Sequence, residues 1–284
     1  MFNTYHICII FCLLCMYTCK TDRAMYEINN LNNNYIAAFG HGGMGISYKY
    51  PLNSDESLKK CIEVGADGTE MDVQITKDSV LVAFHSNNLN ETTSCEGKIC
   101  DKNWNEIASC KYNWPVTHQM EIITLDNLMN TFSNHDKIIY TFDCKLYRST
   151  PEPTAYNKQF ANAILSLMAK NNLNENNVFI ESKDTSFLSI LKNKNKALKL
   201  FYYPLSFQDG LNIAKTMGLF GISISNDDIT KEEVDIAHDN GIRITLWNTK
   251  TKNENIDAIL KNPDYIQTDK INHLLKVFDR YHQN

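Results

Sequence analysis

From residue 35 almost to the end of the chain, short apolar runs alternate with longer amphipathic stretches. The short runs are rich in Val, Ile, Phe and Tyr and are bounded by Gly, Asn, Asp or Ser, the pattern of strands. They fall at 35–40, 68–75, 80–85, 138–144, 178–181, 197–203, 221–225, 242–247 and 265–267. Helical spacing of apolar residues predicts helices over 155–170, 207–217, 231–240 and 253–260. A further helix precedes the second strand: Leu58, Cys61, Ile62 and Val64 make its apolar stripe, Asn53 and Glu56 stand at capping-box spacing, and Gly65 closes it.

Nine strands are one too many for an eight-stranded barrel. Parallel neighbours need a crossover of about a dozen residues or more, yet only Thr76 to Ser79 separates the second run from the third. Those two must form an antiparallel hairpin, and eight parallel strands remain. The expected fold is a (β/α)8 TIM barrel with a small hairpin and loop insertion after the second strand, a size of ~250 residues that suits the 284-residue chain. With Asp78 and Ser79 as a two-residue turn, Lys77 faces Val80, Val73 faces Phe84 and Asp72 faces His85. A one-residue slip would send that imidazole to the other face.

The N-terminus follows another pattern. Residues 7–17 are almost wholly apolar but too short to span a bilayer, which takes ~20 residues; they read as a signal peptide over 1–19, followed by a linker over 20–34 and the barrel domain over 35–284. Cys19, after Met16-Tyr17-Thr18, is either a lipoprotein processing site or a chance cysteine in an ordinary export signal. An exported protein, periplasmic, secreted or held in a bacterial envelope, is expected, with any membrane contact through a lipid on Cys19. In that oxidising setting one disulfide among Cys95, Cys100 and Cys110 is expected, and Cys61 and Cys144 fall in core positions. A net charge of −5 excludes the concentrated basic face that nucleic acid requires.

Glu70 and Asp72 lie two apart on one strand, hence on one face, and Asp143 with Lys145 repeats the spacing at the end of another. Carboxylates on a barrel-facing surface need a positive partner. That partner is either a divalent cation, Ca²⁺ or Mg²⁺, held by Glu70, Asp72 and Asp143, or Lys145 in a salt-bridge network. His41 follows the first strand and His85 ends the hairpin, so both are placed beside the carboxylates, where an imidazole pair supplies a general base and a general acid near neutral pH. No Ser/His/Asp pattern or nucleotide-binding glycine loop is evident: Gly40 to Gly45 lacks the Lys-Ser/Thr of a P-loop.

The runs Gly65-Ala66-Asp67-Gly68-Thr69-Glu70-Met71-Asp72-Val73, Thr76-Lys77-Asp78 and Val82-Ala83-Phe84-His85 closely resemble the glycerophosphodiester phosphodiesterase family. So do Pro51-Leu52-Asn53-Ser54 and, near the end, Leu246-Trp247 and Ile266-Gln267-Thr268-Asp269. The resemblance implies a TIM barrel and metal-dependent hydrolysis of a small glycerophosphodiester to glycerol 3-phosphate and an alcohol. It implies His41 and His85 as the acid/base pair, Glu70, Asp72 and Asp143 as metal ligands, Lys145 on the phosphate, and Trp247 against the glycerol or headgroup. Two positions depart from the family pattern. Gly42 stands where Arg usually follows the first His, and Asp143 stands where many members have Glu. The Asp-x-Lys also resembles sphingomyelinase D and phospholipase D-like barrels acting on lipid headgroups. A non-catalytic phosphodiester-binding protein is the third alternative.

Overall fold

The computed structural model describes residues 26–46, 48–115, 119–132 and 135–282, with the Asp136 side chain left aside. The apolar leader, Cys19 and His118 lie outside the described residues.

Ten strands follow in chain order: β1 (Ala37–Gly40), β2 (Gly68–Ile75), β3 (Leu81–Ala83), β4 (Ile123–Thr124), β5 (Ile139–Cys144), β6 (Val178–Ser182), β7 (Lys199–Tyr202), β8 (Gly221–Ser225), β9 (Arg243–Thr249) and β10 (Tyr265–Thr268). Eight of them run parallel in the order β1-β10-β9-β8-β7-β6-β5-β2, and β1 pairs with β2 to close the ring. Helices such as Pro153–Lys170, Phe207–Met217, Lys231–Asp239 and Lys252–Lys261 lie between the strands. The expected (β/α)8 barrel is therefore present.

Strand alternation sorts β2 into two faces. Met71, Val73 and Ile75 join the main core between strands and helices, and Glu70 and Asp72 face inward. The inner floor is aromatic, built from Phe39, Phe179, Phe201 and Tyr265, with Phe39 stacked on Tyr265 at 5.6 Å between ring centroids. One inward position further along β6 and β10, the floor gives way to Glu181 and Gln267. A dry aromatic layer thus lies beneath the carboxylates and keeps water from them on that side.

The hairpin differs from expectation by one residue. Val73 pairs with Ala83, Gln74 with Val82 and Ile75 with Leu81, so Phe84, not His85, stands opposite Asp72, whose carbonyl accepts from the Phe84 N–H at 2.8 Å. The turn holds three residues, with Ser79 at φ 69°, because the Thr76 hydroxyl captures Asp78 and the Val80 N–H. Regular pairing stops at Ala83, which frees His85 from strand alternation. The two-residue β4, too short to show a period in the sequence, pairs with Val82 and Ala83. The insertion between β3 and β4 carries its own small core of Leu89, Ile99, Ile107 and Ile122, and Cys95–Cys110 is the disulfide, leaving Cys100 free. Cys61 and Cys144 are buried, as their positions suggested.

The helix before β2 spans Asp55–Glu63 and is capped by Ser54, which accepts from the Ser57 N–H; Asn53 is not its cap. The Asn-rich stretch read as a linker is docked where it is described. Asn30 donates to the Pro263 carbonyl at 2.7 Å, Asn29 and Asn262 exchange hydrogen bonds, and Tyr26 and Ile28 pack on the core.

The ring closes through Asp67, which accepts from the Ala38 N–H and from Arg280, both at 2.8 Å, and from the Tyr35 hydroxyl. One carboxylate therefore joins the start of β1, the approach to β2 and the C-terminal segment. Replacing Asp67 with Ala is expected to lower unfolding stability by about 2 kcal/mol, the scale of charged hydrogen bonds left without a partner. Urea denaturation reads this directly, and an unchanged midpoint would show that closure does not depend on the residue.

Candidate active site

Register places the acidic residues before any contact is considered. Asp72 on β2 pairs with Asp143 on β5, which pairs with Glu181 on β6, so three carboxylates stand in one row across adjacent strands. β1 and β3 share one edge of β2 and β5 takes the other. His41, just after β1, and His85, just after β3, therefore arrive from one side, and Asp143 and Lys145 from the opposite side. All of them line a cavity of about 240 Å³ at the C-terminal ends of the strands, together with Glu70 and Asp72. A larger hollow of about 570 Å³ between the hairpin and helix Pro153–Lys170 touches none of these residues.

Ligand atoms of Glu70, Asp72 and Asp143 all lie within 4.8 Å of one another. Three hard oxygen donors at that separation fit a divalent cation such as Ca²⁺ or Mg²⁺. Burial and the Asp72 charge push the Glu70 carboxyl up to about 8, against the opposing pull of His41 and the Gly42 N–H. Burial acts the same way on Asp72, but Lys145, His85, His41 and Asn53 hold it below the usual carboxylate range. Lys145 bridges Asp72 at 2.9 Å and Asp143 at 2.5 Å. Burial opposes its charge, and those two carboxylates outweigh burial and hold the ammonium protonated well above its ordinary value. The salt-bridge network is thus present, with one ammonium shared between Asp72 and Asp143.

Backbone and amide groups orient the set. The Gly42 N–H donates to Glu70 at 2.7 Å. Asn53, fully buried at φ 65°, donates to Asp72 at 2.7 Å and accepts from the Asp72 N–H at 2.9 Å. His41 Nδ1 lies 2.8 Å from Asp269 Oδ1, and Asp269 also accepts from the Ile46 N–H. Burial works against the charge on His41, but the Asp269 hydrogen bond and the charges of Glu70, Asp269 and Asp72 raise the imidazole to about 9. Glu181, bound by Ser223 and Gln267, is pushed well above the usual carboxylate range by burial and by Asp143 and Glu70. Trp247 lines the cavity, packs edge-on to Tyr203 at 5.0 Å between centroids, and keeps a buried indole N–H without a partner among the described residues.

Every site residue expected from the sequence within the described region, His41, Glu70, Asp72, His85, Asp143, Lys145 and Trp247, lines this one cavity. Sequence reasoning gave no role to Asp269, Asn53 or Glu181. Asp269 ends a strand beside β1 and Glu181 sits one strand beyond Asp143, so strand order would have placed both. Asn53 was hidden by its resemblance to a helix cap. Among the other histidines, His238 pairs with Asp264 and His273 with Asn255, both outside the cavity.

The model of the glycerophosphoryl diester phosphodiesterase family matches residues 44–273. Among curated relatives, uncharacterized protein YqiK of Bacillus subtilis is 44% identical over 65 residues, which span 23% of this chain and 27% of that one. A glycerophosphodiester phosphodiesterase of Caldanaerobacter subterraneus is 26% identical over 234 residues, 79% of this chain and 91% of the relative. Among solved structures, an Oleispira antarctica phosphodiesterase in complex with sn-glycerol-3-phosphate superposes with a TM-score of 0.74 at 16% identity, covering 86% of this chain and 96% of that one, a likeness of fold. The match over most of its length shows that this chain belongs to the glycerophosphoryl diester phosphodiesterase family.

Proposed function

We propose that the chain hydrolyses small glycerophosphodiesters to glycerol 3-phosphate and an alcohol, with His41 and His85 as the acid/base pair. The observation that carries this reading is the meeting of both imidazoles with three carboxylates in one cavity over a dry floor. Water attacks phosphorus and passes its proton to one imidazole. The bond from phosphorus to the departing alcohol breaks, and the other imidazole gives that oxygen its proton. Bound at Glu70, Asp72 and Asp143, a divalent cation would draw charge from the non-bridging phosphate oxygens.

His41 suits the base. Asp269 fixes its ring, and two of the charges that hold it protonated belong to Glu70 and Asp72. Neutralising those two charges would lower the imidazole from about 9, toward the range in which a base takes up a proton. His85 then serves the departing oxygen. Lys145 touches Asp72 and Asp143 and lines the cavity, within reach of a phosphate. A lipid-headgroup diester is the second reading. It draws on an apolar groove beside His85, where Ile46 is 49% exposed. The apolar leader would take such an enzyme out of the cell, with a lipid on Cys19 as its membrane contact.

Glycerol phosphate release from glycerophosphocholine should appear with Ca²⁺ or Mg²⁺ and vanish with excess chelator; equal rates in chelator would sink the metal reading. His41→Ala and His85→Ala should each lower kcat at least ~100-fold, the usual scale of acid/base catalysis, with the circular dichroism spectrum unchanged. Asp269→Asn removes one charge and weakens one hydrogen bond that raise His41. A base works on the alkaline side of its pKa, so the acidic limb of the kcat/KM profile should move about one unit to lower pH. A limb that stays in place would assign it to another group.

A further inference from the structure

Beside the catalytic cavity runs a second groove of about 230 Å³, and the two share His85 and Ile46. One wall comes from Ile46, Pro51 and Leu52, and the other from the disulfide-closed insertion. The two are joined across the groove by Trp114, whose indole N–H donates to the Lys49 carbonyl at 2.8 Å. Trp114 and the half-buried Tyr112 present aromatic side chains to it, and Phe84, itself buried, has its ring centroid 6.1 Å from that of Tyr112. Trp114 is 37% exposed, and the Tyr112 hydroxyl is buried without a partner among the described residues.

Apart from His85, at the end shared with the catalytic cavity, the charge of the groove is one-sided. Among the described residues lining it, Glu91 is the single carboxylate, and there is no Lys or Arg. Lys49, two residues before Pro51, gives Trp114 its carbonyl and lays its ammonium over Tyr50. Glu91 is held in place by the Asn88 N–H at 2.9 Å. Tyr112 is fixed by its N–H on the Met120 carbonyl and by the bridge between Thr93 and Tyr112, beside the Cys95–Cys110 link. The walls are therefore set before a ligand arrives.

We propose that this groove is the subsite of the departing alcohol and that it selects an alcohol carrying a quaternary ammonium, choline being the simplest. The proposal rests on the hydrolase reading, in which His85 protonates the departing oxygen; the groove opens at that imidazole. A quaternary ammonium is a diffuse cation with apolar methyl groups and no N–H. It is bound by aromatic faces and one carboxylate without needing a set of hydrogen-bond acceptors. A neutral polyol would leave hydroxyls unpaired against Phe84, Leu52 and Pro51, and an anionic alcohol would meet Glu91. The same trimethylammonium occurs in free glycerophosphocholine and in lysophosphatidylcholine, and the groove recognises the part they share.

The test is kcat/KM for glycerophosphocholine, lysophosphatidylcholine and glycerophosphoglycerol, measured with the metal-loaded full chain and with Glu91→Gln and Trp114→Ala. Gln keeps an acceptor for the Asn88 N–H and removes the charge. A choline diester should be preferred over glycerophosphoglycerol by about tenfold, and each variant should reduce that ratio several-fold, the scale of an aromatic and ionic contact with a cation. Trp114→Phe should restore most of the preference lost in Trp114→Ala. A preferred lysophosphatidylcholine would name the lipid as the source of the choline, and a preferred glycerophosphocholine the free diester. Equal rates on choline and glycerol diesters, or variants that lower both alike, would overturn the subsite and leave the hydrolase standing. Absence of turnover on every diester with either metal would remove the hydrolase reading, and the subsite with it.

Discussion

Three carboxylates packed within 4.8 Å of one another above an aromatic floor set the terms for the rest of the structure. Like charges in a dry site repel, and burial alone is costly for each. The surroundings answer that cost one oxygen at a time. Lys145 takes one oxygen each of Asp72 and Asp143, Asn53 takes the other oxygen of Asp72, and the Gly42 N–H takes Glu70. Even so, burial and the Asp72 charge raise Glu70 to about 8. A barrel built only for stability would not collect this row at its mouth, because apolar residues of similar volume would hold the strands together at less cost.

Strand pairing explains how the imidazoles reach that row. β2 is longer than the barrel requires, and its far end pairs with β3 on the edge that β1 occupies below. That overhang brings His85 into the same cavity as His41. The strand pattern and the four-residue gap made the hairpin legible, since no parallel crossover fits there. Its register was not legible. A Thr-Lys-Asp-Ser turn can close with two or three residues, and the hydroxyl of Thr76 decides for three. The slip did not displace His85, because regular pairing ends at Ala83 and the backbone beyond is no longer bound by alternation.

Legibility elsewhere followed the same physics. Glu70, Asp72, Asp143 and Lys145 could be read because period two puts them on one face of a strand. Asp269 and Glu181 needed one step more, because each enters the site through strand order, a property of the closed ring rather than of any local segment. Asn53 was misread because a capping residue and a buried amide share the same local sequence. Only its left-handed backbone and its pair of bonds to Asp72 tell them apart. The pairing of Cys95 with Cys110 depends on the fold of the insertion, which has no period of its own.

Gly42 carries the chemical consequence of a departure from the family pattern. Its φ of 52° and a neighbouring Leu52, within 3 Å of where a Cβ would stand, make a side chain at this position strained. The backbone N–H instead points at Glu70 and orients a carboxylate rather than gripping phosphate. Lys145 is already shared between two carboxylates, so only part of its charge can serve a phosphate oxygen. With no guanidinium at position 42, an anionic diester in the proposed reaction would be held by Lys145, by Lys250, which also lines the cavity, and by any cation the three carboxylates bind. None of these contacts reads more than the phosphate, so discrimination among diesters would come from contacts at the alcohol each one carries.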